Sequence, residues 1–125
     1  MNACKRTYVT FCVYSTTSAL NDSISRCIGL EPTRVSHKGN LYGWYLSTQD
    51  KITSVDVTDH LESLLNTLET KKAKILQLST EGYDMRVFCF WESFVGNGGP
   101  VLTSKIMSKL SELSLELHFD IWFQK

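Results

Sequence analysis

Cys12, His118 and Asp120 are the residue types of a nucleophile, a base and an orienting carboxylate. His118 and Asp120 lie two apart, so on a strand they share a face, and Cys12 could stand on a neighbouring strand. Nothing in the sequence brings the thiol within hydrogen-bond reach of the imidazole, and a packed cysteine beside a half-exposed histidine is the simpler expectation. The Gly96-Asn97-Gly98-Gly99-Pro100 run ahead of a helix suggests an anion cradle. It lacks both the Gly-x-Gly-x-x-Gly pattern and a Gly-Lys-Ser/Thr ending, and Lys105 follows Thr103-Ser104. A turn leading into a helix capped by Thr103 or Ser104 is expected there. His37, His60 and His118 fall on three different elements with no metal-type spacing, which predicts scattered surface histidines. No cofactor is implied and no catalytic constellation emerges, so a non-enzymatic chain is expected.

Residues suited to recognition stand out more clearly. Asp59, Glu62, Asn66 and Glu69 recur at intervals of three and four and form a polar, mostly acidic ridge along one helix. Such a ridge could meet a basic protein surface and speed association, although a solvated helix face has the same pattern. Tyr42, Trp44 and Tyr45, close to Arg34, are the residue types that dominate interface energies, with core packing as the alternative. Tyr8, Tyr14, Phe88, Phe90 and Trp122 could form a base-stacking sheet face. Asp120 and Glu92 among them argue against nucleic acid, and cover by the central helices or by a second subunit is the expectation. Exposed edges or an aromatic face could also drive homodimerisation.

Composition sets the limits. The 125 residues fit a single domain with one continuous core, and 42% hydrophobic content excludes a disordered chain. Thirteen basic residues offset thirteen acidic ones, so no global field draws the chain to phosphate backbones or anionic membranes. No apolar run approaches the roughly 20 residues that span a bilayer, and Tyr8 to Tyr14 is too short and interrupted for a signal peptide. A cytoplasmic address is expected. The cysteines at 4, 12, 27 and 89 form no Cys-x-x-Cys pair and are expected as reduced thiols.

Periodicity gives the elements that must position these residues. Alternation predicts strands over Thr7 to Ser15, Tyr42 to Ser47, Met85 to Trp91 and Leu117 to Phe123. A short helix capped by Ser18 ends at Gly29, and Thr33 to Leu41 is expected as a loop. A longer helix starts at Val57 with Asp56 as cap, and Thr70 begins a second piece carrying Ala73, Ile75, Leu76 and Leu78. The last helix buries Ile106, Met107, Leu110 and Leu113 and joins the final two strands as a parallel crossover. The predicted fold is an α+β domain: a four-stranded, mostly antiparallel sheet of two β-α-β units, a ferredoxin-like variant with an inserted helical pair. In it Phe119 and Ile121 fix the core. A three-layer parallel sheet is the competitor, disfavoured because every strand alternates.

Ile28 to Arg34 followed by Lys38-Gly39, then Gly43 to Ser47, Asp59 to Leu65, Leu102 to Ser104 and Phe119 to Trp122 together resemble the bacterial domain-of-unknown-function family 4279. Trp122 replaces the more usual tyrosine of an Asp-Ile-Tyr ending. The resemblance covers nearly the whole chain and implies a small bacterial α+β protein, with no activity or site residues to carry over. By analogy with other small orphan proteins, the expected function is binding and neutralising a cognate toxin, as an immunity protein does. Asp59, Glu62, Glu69, Arg34, Tyr42, Trp44 and Tyr45 are the candidate partner-binding residues. The alternative is a small-molecule or nucleotide-binding domain that uses the glycine loop and the sheet face.

Overall fold

A central strand organises the structure, a computed structural model that describes residues 3–16 and 20–123. In β1 (Cys4–Ser15), Val9, Phe11 and Val13 are fully buried and alternate with Tyr8, Thr10, Cys12 and Tyr14 on the opposite face. The helix α1 (Leu20–Ile28) follows, then β2 (Arg34–Lys38), β3 (Leu41–Ser47), α2 (Val57–Glu69), α3 (Lys72–Thr80), β4 (Asp84–Ser93), α4 (Ser104–Glu112) and β5 (Glu116–Phe123). The strands form one sheet in the order β2-β3-β1-β4-β5.

The α+β class is as expected, but the described residues hold five strands. Arg34–Lys38, expected as a loop, pairs antiparallel with β3 as the outer arm of a hairpin. That arm turns the chain back, so β3 lies antiparallel to β1, and the strand parallel to β1 across α1 is β2, with β3 between them. The expected pair, β1 and β3, is therefore not a parallel β-α-β unit. The second half is one: β4 and β5 are parallel across α4. With β1 antiparallel to β4 as well, three of the four strand pairings are antiparallel.

The helices all pack on one face. Val57, Leu61, Leu64, Leu65 and Leu68 of α2, Ile75 and Leu78 of α3, and Ile106 and Leu110 of α4 join Val9, Phe11, Val13, Val87, Cys89 and Trp91 in a single core. Trp44 meets Phe11 edge-on with ring centroids 6.0 Å apart. Its indole Nε1 donates to Ser25 Oγ at 3.1 Å, which ties β3 to α1. Asp56 caps α2 by accepting from the Thr58 amide at 3.0 Å, and Thr103 caps α4 by accepting from the Ile106 amide at 3.2 Å. The Ser18 cap lies outside the described residues. Gly29 closes α1 at φ 68°, its amide donating to the Ser25 carbonyl.

The expected core needs three further corrections. Phe119 and Ile121 are 45% and 37% exposed, because β5 is an edge strand whose far half extends beyond the cover of α4. Met107 is 50% exposed and Ala73 lies on the outer side of α3. Conversely, His60 is a core residue rather than a surface histidine, occupying the inner stripe of α2.

Candidate functional site

The sheet face opposite the helices is the site this topology builds. Strand alternation places Tyr8, Thr10, Cys12 and Tyr14 of β1 there, with Tyr45 and Ser47 of β3 and Arg86, Phe88, Phe90 and Glu92 of β4. Arg34 joins them from β2, and His118, Asp120 and Trp122 from β5. The expectation that α2 and α3 cover these aromatics fails, since every helix packs on the other face. The open face is concave, with a hollow of about 780 Å³ floored by Tyr8, Cys12, Tyr14, Tyr45, Phe88 and Phe90. Its lip is the Glu31–Arg34 segment and the Gln49–Lys51 turn, with Asp120 on the far side.

A row of rings and guanidinium groups crosses four strands of this face. Arg34 Cζ lies 4.2 Å from the Tyr45 ring centroid, Tyr45 meets Tyr14 edge-on at 5.8 Å, and Arg86 Cζ lies 5.8 Å from the Tyr14 ring. Ser36 Oγ and Tyr45 Oη are 2.8 Å apart, a hydrogen bond that holds the phenol. Gly43 makes room for it, because a Cβ there would collide with both oxygens. Arg34 donates no side-chain hydrogen bond among the described residues, so its stacked fork is free to take an acceptor. Arg86 donates to Asp84 Oδ2 at 2.6 Å, which raises its pKa, while its Nε is buried without a partner among the described residues. A second stack pairs Tyr8 and Phe90 at 4.8 Å, with Arg6 over both rings.

Beneath the row Cys12 is buried. Burial raises the Cys12 thiol to about 11, and its Sγ donates to its own strand at the Thr10 carbonyl, 3.7 Å away. Burial likewise raises Tyr14, reinforced by Cys12 and Tyr45, so the phenol is a neutral hydrogen-bonding group. His118 belongs to β5, two strands from β1, with Phe88 between them and its ring 5.4 Å from the imidazole. Two strand spacings are about 10 Å, so Cys12, His118 and Asp120 do not assemble as nucleophile, base and orienter. His118 Nε2 instead lies 3.1 Å from Glu116 Oε1.

The other candidates separate. Arg34 and Tyr45 come together on the open face, whereas Tyr42 is on the helix side, its ring stacked on His37 at 4.2 Å. Trp44 is fully buried and offers no surface to a partner. The α2 ridge is partly spent within the chain. Asp59 Oδ2 accepts from Ser54 Oγ at 2.6 Å, and Lys109 of α4 donates to Asn66 Oδ1 at 2.5 Å and lies 3.7 Å from Glu69. Glu62 is half-buried on the same helix. The glycine loop lies apart from the open face. Gly98, at φ 96°, is pressed against Ala3 and Trp91, and the Asn97 carbonyl accepts from Ser93 Oγ at 2.7 Å. The hollow beside it carries the Asp56 carboxylate, which disfavours an anion. Among the described residues no cluster of three His, Cys, Asp or Glu is placed to hold a metal, and no helix is long and apolar enough to cross a membrane.

Sequence reasoning missed Arg86 and the lip at Gln49–Lys51. Arg86 was legible as an outward residue of an alternating strand, but only the strand order sets it beside Tyr14. One family model, described as "Domain of unknown function (DUF4279)", matches residues 5–124. No curated protein and no solved structure matches the chain.

Proposed function

We propose that this chain, which belongs to the domain-of-unknown-function family 4279 and inherits no activity from it, is a non-enzymatic module that binds a protein partner through its open sheet face. In its most concrete form the module is a cytoplasmic bacterial immunity protein that neutralises a cognate toxin. One observation carries the reading: the Arg34–Tyr45–Tyr14–Arg86 row, in ring and guanidinium contact across four strands and left uncovered by every helix. Tyr and Arg supply large contact area and strong donors with few rotamers left to freeze, and such residues at the centre of an interface carry most of its energy. The α2 ridge is the weaker candidate, because Asn66 and Glu69 already engage Lys109.

The test is co-expression with a toxin encoded beside this reading frame. Rescue of growth is expected, and Arg34→Ala or Tyr45→Ala should weaken toxin binding about 30-fold, the loss of a hot-spot side chain. Failure of the folded wild-type chain to rescue would reject the immunity form.

The hollow's size also favours a second reading, a site for a small planar ligand lying on Tyr8, Phe88 and Phe90. Thermal stabilisation by aromatic carboxylates or nucleotides, lost in Tyr45→Ala, would favour this reading over a protein partner.

A further inference from the structure

The two edges of the sheet are built differently. The β2 edge is five residues long, with Arg34, His37 and Lys38 exposed, and pairing with a second β2 about Ser36 would set Arg34 against Lys38. The β5 edge is eight residues long and exposes Phe119, Ile121, Trp122 and Phe123 at 37–58%. A long apolar edge of this kind is a template for another strand.

We infer that β5 is a self-association site, pairing antiparallel with β5 of a second copy about a two-fold axis through Phe119. A two-fold that joins two edges antiparallel must stand perpendicular to the sheet, so each residue meets a partner residue from the same face. Only registers centred on a residue satisfy this condition. Centring on His118 sets Glu116 against Asp120, and centring on Asp120 sets that carboxylate against its own copy, both like-charge contacts. Centring on Leu117 pairs Glu116 with His118 but overlaps only residues 116–118 of each strand, and centring on Ile121 leaves both Glu116 and His118 opposite positions beyond Phe123, so no histidine–carboxylate pair forms. Centring on Phe119 sets His118 against Asp120 twice, Leu117 against Ile121 twice, Glu116 against Trp122 twice, and Phe119 against itself, with the longest overlap that also pairs a histidine with a carboxylate. The His118–Asp120 pairs fall on the open face and the apolar seam on the helix face, where α4 leaves Phe119 and Ile121 uncovered. The occupant this register fits is a second copy of the chain. Both open faces then lie on the same side of one continuous sheet, independently of what they bind.

Sedimentation velocity across a concentration series should show a monomer–dimer equilibrium. His118→Asp should weaken it about tenfold, because a like-charge contact appears twice, and adding Asp120→His should restore it. In a Cys27→Ser background, Phe119→Cys should form a disulfide-linked dimer on oxidation, since paired Cα atoms lie about 4.5–5.5 Å apart. Ile121→Cys should not, because its two copies would be about 13 Å apart along the strands. A chain that is monomeric at every concentration, or one that cross-links through Ile121→Cys and not Phe119→Cys, overturns the inference. Circular dichroism checks that these exposed substitutions leave the fold intact.

Discussion

Thr48 Oγ1 and His60 Nδ1 lie 2.6 Å apart in the core, one at the end of β3 and the other on the first turn of α2. The imidazole's second nitrogen faces the Ser54 carbonyl at 2.8 Å, an acceptor only, so Nε2 carries the proton and Nδ1 accepts from the threonine hydroxyl. The Val9 amide donates to the same hydroxyl oxygen at 3.1 Å. Two segments, β1 at Val9 and α2 at His60, that would otherwise bury unpaired polar atoms are thus satisfied by one threonine. Thr48→Val keeps the shape and removes the oxygen, orphaning the Val9 amide and His60 Nδ1. It should cost about 2 kcal/mol, measured by urea unfolding, whereas Thr48→Ser should cost far less. Equal stability of the valine and serine variants would show that the hydroxyl is not used.

The buried thiols fix how stability responds to alkali. Burial raises Cys12 to about 11 and Cys89 to about 12 from an ordinary value of 9.0. Between those limits the unfolded chain loses thiol protons that the folded chain keeps, so the folded state binds more protons and stability falls as pH rises. The contribution is intact below pH 9 and lost progressively up to about 11 for Cys12 and 12 for Cys89. Cys89→Ala should therefore flatten the decline in unfolding midpoint above pH 9, despite lowering stability at neutral pH. Thiol-modifying reagents at pH 8 should label half-buried Cys27 before the three buried cysteines.

What was legible in the sequence followed the contrast between polar and apolar faces. The β4-α4-β5 crossover and the α2 stripe were read correctly because Val87, Cys89 and Trp91 alternate cleanly and Leu61, Leu64, Leu65 and Leu68 keep the helical period. β2 was invisible, since Arg34, Ser36, His37 and Lys38 make both faces polar and no alternation survives. Its omission also reversed the direction of β3 relative to β1. The same logic misplaced Phe119 and Ile121: their alternation matches that of a central strand, and only the strand order reveals an edge. His60 did leave a signal, at the third position after Val57 on the inner stripe. The site was half legible. Arg34 and Tyr45 were named, but Tyr14 and Arg86 join them through strand pairing between distant segments, which local patterning does not carry.

Asp56 offers a local test of how α2 is anchored. Its carboxylate accepts from the Thr58 amide at 3.0 Å, at the positive end of a 13-residue helix. Asp56→Ala should cost about 1 kcal/mol and Asp56→Asn less, because asparagine keeps the cap and loses only the charge. Thermal melts in low and high salt separate the two contributions, since only the charge term is screened. If the alanine and asparagine variants melt together, the carboxylate does not cap the helix.

Gly43 tests whether the open-face row is held as a unit. Gly43→Ala pushes a methyl group between Ser36 Oγ and Tyr45 Oη, so the 2.8 Å bond breaks and the phenol must swing away. The expected stability loss is about 1–3 kcal/mol, the usual range for overpacking. Tyr45 carries Arg34 on its face and Tyr14 against its edge, so its displacement should disorder the row without touching the core around Trp44. Tyrosine ring resonances of Tyr14 and Tyr45 should shift in this variant while the Trp44 indole N–H, bonded to Ser25, stays in place. Unchanged tyrosine resonances would mean that each ring is fixed by its own strand and that the row is not cooperative.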